Sequence, residues 1–184
     1  MTPREILDRL LLPDFFVPVN GDKAILVESE PMSLIKEIHL SPIPAGSVLL
    51  RMDRIDPGDM KKYFGLAGNA GELKRCDYLL IGIYNNIKFI LFVELKSEEV
   101  KSPDVKEKFY SCECIIDYYC SLLKSFHGLN FNGYKKYYAV VYWDAILKRS
   151  TSINGTNQRS VNNYYRIQVN KPVTEIKLSR FFNQ

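Results

Sequence analysis

The most hydrophobic stretch of the chain carries ionisable residues at both of its ends. This stretch, "CDYLLIGIYNNIKFILFVELK" at positions 76–96, opens on Asp77 and closes on Glu94 and Lys96. Carboxylate oxygens are the ligands that Mg²⁺ prefers, commonly one or two carboxylates together with waters and phosphate oxygens. A lysine beside such a cation could orient or deprotonate an attacking water and stabilise the charge that develops on a phosphate. These residue types therefore suit metal-assisted hydrolysis of a phosphodiester.

A β-hairpin is the element that must bring these three residues together. Asn85 and Asn86 lie between two β-prone runs, and asparagine tolerates positive φ better than most residues, which predicts a two-residue type I′ turn. Such a turn pairs Tyr84 with Ile87 and so fixes the register of the whole hairpin. Both faces of the two strands are apolar, as expected for a central strand pair that is covered on each side.

The predicted register places Asp77 directly opposite Glu94. Cross-strand partners point to the same face with Cβ atoms about 5 Å apart, and Lys96, two residues after Glu94, lies on that face too. Two carboxylates at this distance repel each other, and a divalent cation would offset the repulsion. The alternative is that "VELK" is the solvated end of an ordinary strand, in which Glu94 pairs with Lys96 or Arg75. The register and the apolar surroundings favour a site.

The segments "KRCDYLLIG" and "FVELK" resemble the core of the PD-(D/E)xK nuclease superfamily, the restriction-endonuclease-like fold. The resemblance covers roughly residues 60–143. It implies an α/β fold with a mixed β-sheet flanked by helices, in the order helix, three strands, helix, strand. It also implies that Asp77, Glu94 and the Leu95 backbone carbonyl are ligands of Mg²⁺ or Mn²⁺, and that Lys96 is the catalytic lysine.

The sequence departs from the family pattern at several positions. Cys76 stands where a proline gives the family its name. Many members carry an acid on the first core helix, for which Glu37 is one candidate and Glu72 a weaker one. Many also carry a Gln or Lys on the helix after the Glu-x-Lys motif, where this chain offers only Lys106 and Lys108.

The expected partner is nucleic acid, with DNA favoured over RNA, and the resemblance also suggests a homodimer or a partner protein. Arg75 lies opposite Lys96 in the predicted register, either as a structural partner of Glu94 or as a phosphate-binding arginine. Lys74 could add a contact to a nucleic-acid backbone. Some of the twelve tyrosines could stack on bases, although most lie in patterned core elements.

The rest of the chain supplies the elements around the hairpin. Apolar residues at helical spacing predict a long helix over 102–127. A shorter helix is expected from the capping pattern at Thr2 to about Leu12. Strands are expected at "KAILVES", "KKYYAVVYW", "YYRIQV" and "VTEIKL", a helix at "MSLIKEIHL", and loops at 65–71 and 148–163.

Composition limits the class of protein. With 184 residues, of which 46% are hydrophobic, we expect a single domain spanning 1–184. The formal charge of +4 permits an anionic partner and excludes a polybasic protein. No apolar run is long enough to span a membrane, and the N-terminal segment mixes acids with bases, so we expect a cytoplasmic protein without membrane contact. Four cysteines in a chain with ample core predict buried free thiols rather than a disulfide framework.

Together these features predict a metal-dependent nuclease that acts in phage defence or DNA processing. One alternative is a catalytically inactive module of the same fold that binds nucleic acid or a protein partner. Another is a soluble α/β protein in which the hairpin charges are incidental.

Overall fold

The computed structural model describes residues 3–8, 10–54, 71–97, 102–144 and 161–182. Three sequence predictions fall wholly or mostly outside these ranges: the capping residue Thr2, the glycine-rich loop 65–71 except Gly71, and the polar loop 148–163 up to residue 160.

The described residues form an α/β structure with two mixed sheets and few helices. Sheet A has six strands in the order β1-β5-β6-β7-β8-β9, and sheet B has four in the order β10-β4-β3-β2. The helices and strands of the described ranges are α1 (Pro3–Leu7), β1 (Phe16–Val17), β2 (Val19–Asn20), β3 (Lys23–Val27), β4 (Glu37–Ser41), β5 (Val48–Arg51), β6 (Tyr78–Tyr84), β7 (Ile87–Lys96), α2 (Ser102–His127), β8 (Lys135–Trp143), β9 (Tyr165–Val169) and β10 (Val173–Lys177).

The hairpin β6–β7 forms with the predicted turn and register. Asn85 and Asn86 have φ values of 46° and 64°, as a type I′ turn requires. Tyr84 pairs with Ile87, and the antiparallel ladder continues to Tyr78 and Val93. Strand β5 pairs antiparallel with β6, and β8 pairs parallel with β7. The hairpin is therefore the centre of sheet A, which explains why both of its faces are apolar.

Each face of sheet A packs on a different layer. One face packs on sheet B, and the hydroxyl of Tyr78 joins the two sheets by donating to the Val27 carbonyl at 2.6 Å and accepting from the Val27 N–H at 2.8 Å. The opposite face packs on α2 through Leu79, Phe92 and Phe109. Because side chains alternate along a strand, residues in phase with Leu79 and Phe92 point towards α2.

The predicted helix at "MSLIKEIHL" is wrong, because the second half of this segment forms strand β4. Ile38 and Leu40 are buried while their neighbours are only partly buried, which is the alternation of a strand. Strand β4 pairs with both β3 and β10, so its backbone bonds are satisfied on two sides. Glu37 consequently lies on a strand of sheet B and not on a first core helix.

The other predicted helices and strands are confirmed, with some changes of length. The long helix and the strands β3, β8, β9 and β10 lie where the sequence places them. Helix α1 ends at Leu7, although the sequence predicted an end near Leu12. The backbone of Leu12 is extended because this residue precedes Pro13. All four cysteines are free, but only Cys76 and Cys112 are buried, and Cys114 is exposed. No helix in the described ranges is long and apolar enough to cross a membrane.

The turn yields a stability prediction. Replacing Asn86 by Val should lower the free energy of unfolding by about 1–2 kcal/mol, because a β-branched residue is strained at positive φ. Asn86→Gly should leave the stability within about 0.5 kcal/mol or raise it. Urea unfolding followed by circular dichroism measures both. Lys88→Val is the control, because it adds the same side chain at an exposed strand position. Equal stability of the Asn86→Val and Asn86→Gly variants would contradict the turn assignment.

Candidate active site

The ladder of β6 and β7 brings Asp77 and Glu94 together at one end of the hairpin. Tyr78 pairs with Val93, so the preceding residue, Asp77, lies opposite Glu94. Counting from the turn, this position is a non-hydrogen-bonded pair, the kind in which cross-strand side chains lie closest. The Asp77 carboxylate is held in place because its Oδ2 accepts the Leu95 N–H at 2.6 Å.

The Glu94 side chain is fully buried, and its two oxygens have different surroundings. Oε1 accepts from Lys108 Nζ at 2.5 Å and lies 3.1 Å from Lys96 Nζ. Oε2 is buried and has no hydrogen-bond partner in the described part of the chain. An unsatisfied buried carboxylate oxygen is costly, so this atom is a natural position for a ligand.

The ionisation of these groups follows from their burial. Burial raises the pKa of Glu94, and the ammonium groups of Lys108 and Lys96 oppose that rise. Burial also raises the pKa of Asp77 well above its usual range, and the charge of Glu94 raises it further. Burial would lower the pKa of Lys108, but the charges of Glu94 and Asp77 outweigh it and raise the pKa overall. The two carboxylates therefore destabilise each other's ionised forms, which a bound cation would reverse.

A chain of ion pairs continues from Glu94 to the surface. Lys96 Nζ donates to Asp104 Oδ2 at 3.2 Å, and Asp104 Oδ1 accepts from Lys74 Nζ at 2.9 Å. Lys74 also reaches Glu107 Oε2 at 2.7 Å. The ammonium of Lys96 is thus held between two carboxylates, with its side chain 25% exposed at the rim of the site.

Asp104 is a site residue that the sequence analysis missed. It lies in the first turn of α2, four residues before Lys108, so both side chains project from the same face of the helix. Its pKa is lowered because its hydrogen bonds to Lys74 and Lys96 outweigh the effect of burial. An acid four residues before a lysine at the start of a predicted helix was the available signal.

The end of β7 is anchored through Ser97 to the segment between β3 and β4. Ser97 Oγ accepts the Leu34 N–H at 3.0 Å and hydrogen-bonds to the Ser33 hydroxyl. Ser33 in turn donates to the Ile35 carbonyl at 2.7 Å. These contacts lie directly after Lys96, so they fix the backbone that carries the lysine.

Arg75 and Glu72 make structural contacts behind the site. Arg75 is buried, and its Nη1 donates to the Lys74 carbonyl at 2.7 Å, to the Glu72 carbonyl at 3.2 Å and to Ser111 Oγ at 2.6 Å. Burial lowers the pKa of Arg75. These bonds join the segment before β6 to α2, so Arg75 has a structural role whether or not it also contacts phosphate. Glu72 contributes its backbone carbonyl, while the residue itself is exposed.

The remaining candidates differ in position. Lys108 contacts Glu94 directly, whereas Lys106 is half-buried on another flank of α2 and forms no ion pair with a described residue. The suggestion that Glu37 is the accessory acid is wrong, because Glu37 lies on the outer face of sheet B, hydrogen-bonded to His39 Nε2 at 2.8 Å. Sheets A and B both separate it from the side of α2 that carries the site.

Comparisons of the chain with protein-family models, with curated proteins and with solved structures give no match. Within the described ranges, no three His, Cys, Asp or Glu side chains are grouped so that they could hold a metal ion. The candidate site therefore consists of two opposed carboxylates and their lysine partners.

The residues present fit a hard divalent cation. Glu94 Oε2 is an oxygen without a described partner, and the Asp77 carboxylate faces it from the opposite strand. The Leu95 carbonyl is a third oxygen, because the N–H and C=O of a strand residue point to the same neighbouring strand, and the Leu95 N–H points to Asp77. Oxygen donors of this kind suit Mg²⁺ or Mn²⁺ completed by water.

The opposed carboxylates predict a stability gain on neutralising one of them. Asp77→Asn keeps an oxygen for the Leu95 N–H and removes the repulsion, so it should raise the free energy of unfolding by about 1–2 kcal/mol at neutral pH. Above its raised pKa, Asp77 is ionised in the folded protein and lowers the free energy of unfolding. Below the ordinary pKa of aspartate, it is protonated in both the folded and the unfolded protein and has no such effect. The gain should therefore shrink as the pH falls through the raised pKa.

Urea unfolding in EDTA at about pH 8, 6 and 4 measures this gain. Asp53→Asn is the matched control, because Asp53 is ion-paired to Arg51 at 2.9 Å and should lose stability or leave it unchanged. A loss of stability in Asp77→Asn at about pH 8 would show that the two carboxylates do not oppose each other.

Proposed function

We propose that this chain is a metal-dependent nuclease of the restriction-endonuclease-like, PD-(D/E)xK type. The observation that carries the proposal is the buried Glu94 Oε2, which lacks a described partner and lies opposite Asp77 with Lys96 beside the same carboxylate. Two carboxylates and a lysine at the end of a central hairpin form a donor set suited to hydrolysis of a phosphodiester.

The order of elements supports the proposal. Strands β5, β6 and β7 form an antiparallel meander, α2 follows, and β8 returns parallel to β7. This is the order of three strands, helix and strand that the resemblance implies. The layers differ from the resemblance, which implies helices on both faces of the sheet. Here α2 covers one face of sheet A, and sheet B covers the other.

The roles of the residues follow from their positions. Asp77, Glu94 and the Leu95 carbonyl would hold Mg²⁺ or Mn²⁺, which when bound supplies Lewis-acid stabilisation of the phosphate and a more acidic water. Lys96 lies at the rim, where its ammonium can orient the attacking water and neutralise charge on the phosphate. Asp104 fixes the position of that ammonium. Nucleic acid, with DNA favoured, is the proposed substrate.

One observation favours a second candidate, an inactive module that binds nucleic acid or a protein. Glu94 Oε1 already receives two ammonium groups, Lys108 at 2.5 Å and Lys96 at 3.1 Å. These charges compensate the buried carboxylate without a metal. In this alternative, the ion pairs hold α2 against the hairpin and perform no chemistry.

A cleavage assay tests the nuclease directly. Wild-type protein should cleave labelled single- or double-stranded DNA or RNA in Mg²⁺ or Mn²⁺ and not in EDTA. Asp77→Asn should lower the rate by a factor on the order of 10³ or more, because it removes a metal-binding charge. Since this variant is expected to gain stability, its inactivity would not result from unfolding. Glu94→Gln is a second variant whose folding is checked by circular dichroism. Metal-dependent cleavage that persists in Asp77→Asn would exclude this site.

Metal binding separates the two candidates. Mn²⁺ titration followed by electron paramagnetic resonance should detect one bound ion in the wild type and a loss of affinity of about tenfold or more in Asp77→Asn. Asp53→Asn, which changes an acid outside the site, should bind Mn²⁺ like the wild type. Equal Mn²⁺ affinities in all three proteins would favour the binding module.

A further inference from the structure

Two flanks of helix α2 face different parts of sheet A. The flank with Lys108 and Ser111 faces the candidate site and the segment before β6. The opposite flank carries Lys106, Tyr110 and Glu113, spaced four and three residues apart. Glu113 accepts from Lys136 of β8 at 2.7 Å, and the Tyr110 hydroxyl accepts from Asn162 just before β9, so this second flank lies above β8 and beside the start of β9.

Arg166 brings a cation to the same region from strand β9. Glu94 pairs with Val140 on β8, and Val140 pairs with Arg166, so these three residues form one row across sheet A. Neighbouring strands lie about 4.8 Å apart, which places the backbone of Arg166 roughly 10 Å from that of Glu94. Val140 packs towards α2, so Arg166 projects to the same face of the sheet as Glu94.

Aromatic side chains accompany this arginine. The Arg166 guanidinium lies 5.5 Å from the centroid of the Tyr164 ring, and its Nη2 donates to the Tyr164 hydroxyl at 3.3 Å. The Tyr164 ring packs edge-on against Phe109 of α2. Tyr110 is 47% exposed, and its hydroxyl accepts from Asn162 Nδ2 at 3.1 Å. Arg166 is thus pre-oriented on a tyrosine, with a second, exposed tyrosine on the adjoining helix.

The charges of this surface differ from those of the ion-paired lysines around it. Lys74, Lys96, Lys108 and Lys136 are all ion-paired. Lys106 and Arg166 form no ion pair with an acid in the described ranges, and Arg166 is exposed. Two cations without a described acid partner, together with an exposed aromatic ring on the same helix flank as one of them, suit an anionic ligand that also has flat apolar faces.

We propose that Lys106, Tyr110, Tyr164 and Arg166, here called the β9 patch, bind a single strand of nucleic acid that continues into the candidate site. The cations would contact phosphates, and Tyr110 would stack on a base, which is accessible to a side chain only where the strand is unpaired. This inference rests on the proposed function, because it takes the substrate of the Glu94 site to be nucleic acid. It narrows that substrate to single strands or single-stranded segments.

The test is binding without metal, so that cleavage does not contribute. Fluorescence anisotropy in EDTA would compare labelled single-stranded DNA, single-stranded RNA and duplex DNA of about 15 nucleotides. The double variant Lys106→Gln with Arg166→Gln should bind single strands on the order of tenfold more weakly. The slope of log affinity against log salt should fall by about 0.7 for each lost phosphate contact. The DNA and RNA arms identify which sugar the patch accepts.

Matched controls separate contact from general charge and folding. Lys177→Gln removes one positive charge from an exposed position on the outer face of sheet B and should bind like the wild type, whereas each single variant, Lys106→Gln or Arg166→Gln, should bind more weakly. Tyr110→Ala should weaken binding about tenfold, whereas Tyr110→Phe, which keeps the ring and loses only the hydroxyl, should retain most of the affinity. Thermal melting checks that each variant is folded.

Several outcomes would overturn the inference. They are equal affinities of the β9-patch variants and Lys177→Gln, a preference for duplex over single strands, and the absence of any wild-type binding to single strands. The nuclease proposal fails separately. Patch-dependent binding without metal-dependent cleavage would support the β9 patch and reject the nuclease. Cleavage that is lost in Asp77→Asn but normal in the patch variants would support the nuclease and reject the β9 patch.

Discussion

The buried charge of Glu94 is the constraint on which this side of the molecule depends. A fully buried carboxylate is stable only if cations or hydrogen-bond donors surround it. One oxygen of Glu94 is ion-paired with Lys108 from α2 and with Lys96 from the same strand. Asp104 forms a second ion pair with Lys96. The start of α2 is therefore fixed to the end of β7 by charge as well as by apolar packing. The second oxygen of Glu94 is the only part of this carboxylate that the described residues leave unsatisfied.

The position of the hairpin explains why such a charge can be buried at all. With β5 on one side and β8 on the other, β6 and β7 have their backbone groups paired along both edges. Sheet B closes one face and α2 the other, so water is excluded from the centre of the sheet. The ionisable residues lie where the apolar run ends, at the margin of this dry region. Low polarity there strengthens every charge interaction, which favours both ion pairing and the binding of a divalent cation.

Helix α2 links two surfaces that differ in whether their cations are ion-paired. One flank faces the hairpin end and takes part in a chain of alternating acids and bases, in which Lys74, Lys96 and Lys108 are all ion-paired. The other flank faces β8 and β9, where Arg166 is supported by Tyr164 and no described acid neutralises it. Both surfaces lie on the same face of sheet A, about two strands apart. The rigid helix sets their separation, so a ligand bound on one flank would have a fixed offset from the other.

The sequence by itself determined the hairpin and its register, because two adjacent asparagines with β-prone flanks permit one tight turn and the strand period then fixes every pair up to Asp77 and Glu94. It also determined α2 and the later strands, whose periodicity is strong. It could not place β4, because Glu37–Ser41 becomes a strand only through pairing with β3 and with β10, which is remote in sequence. Tertiary structure alone decided that Arg75 is buried, that Lys108 and not Lys106 meets Glu94, and that Asp104 holds Lys96. These contacts depend on the rotation and depth of α2 on sheet A, which local residue patterns do not encode.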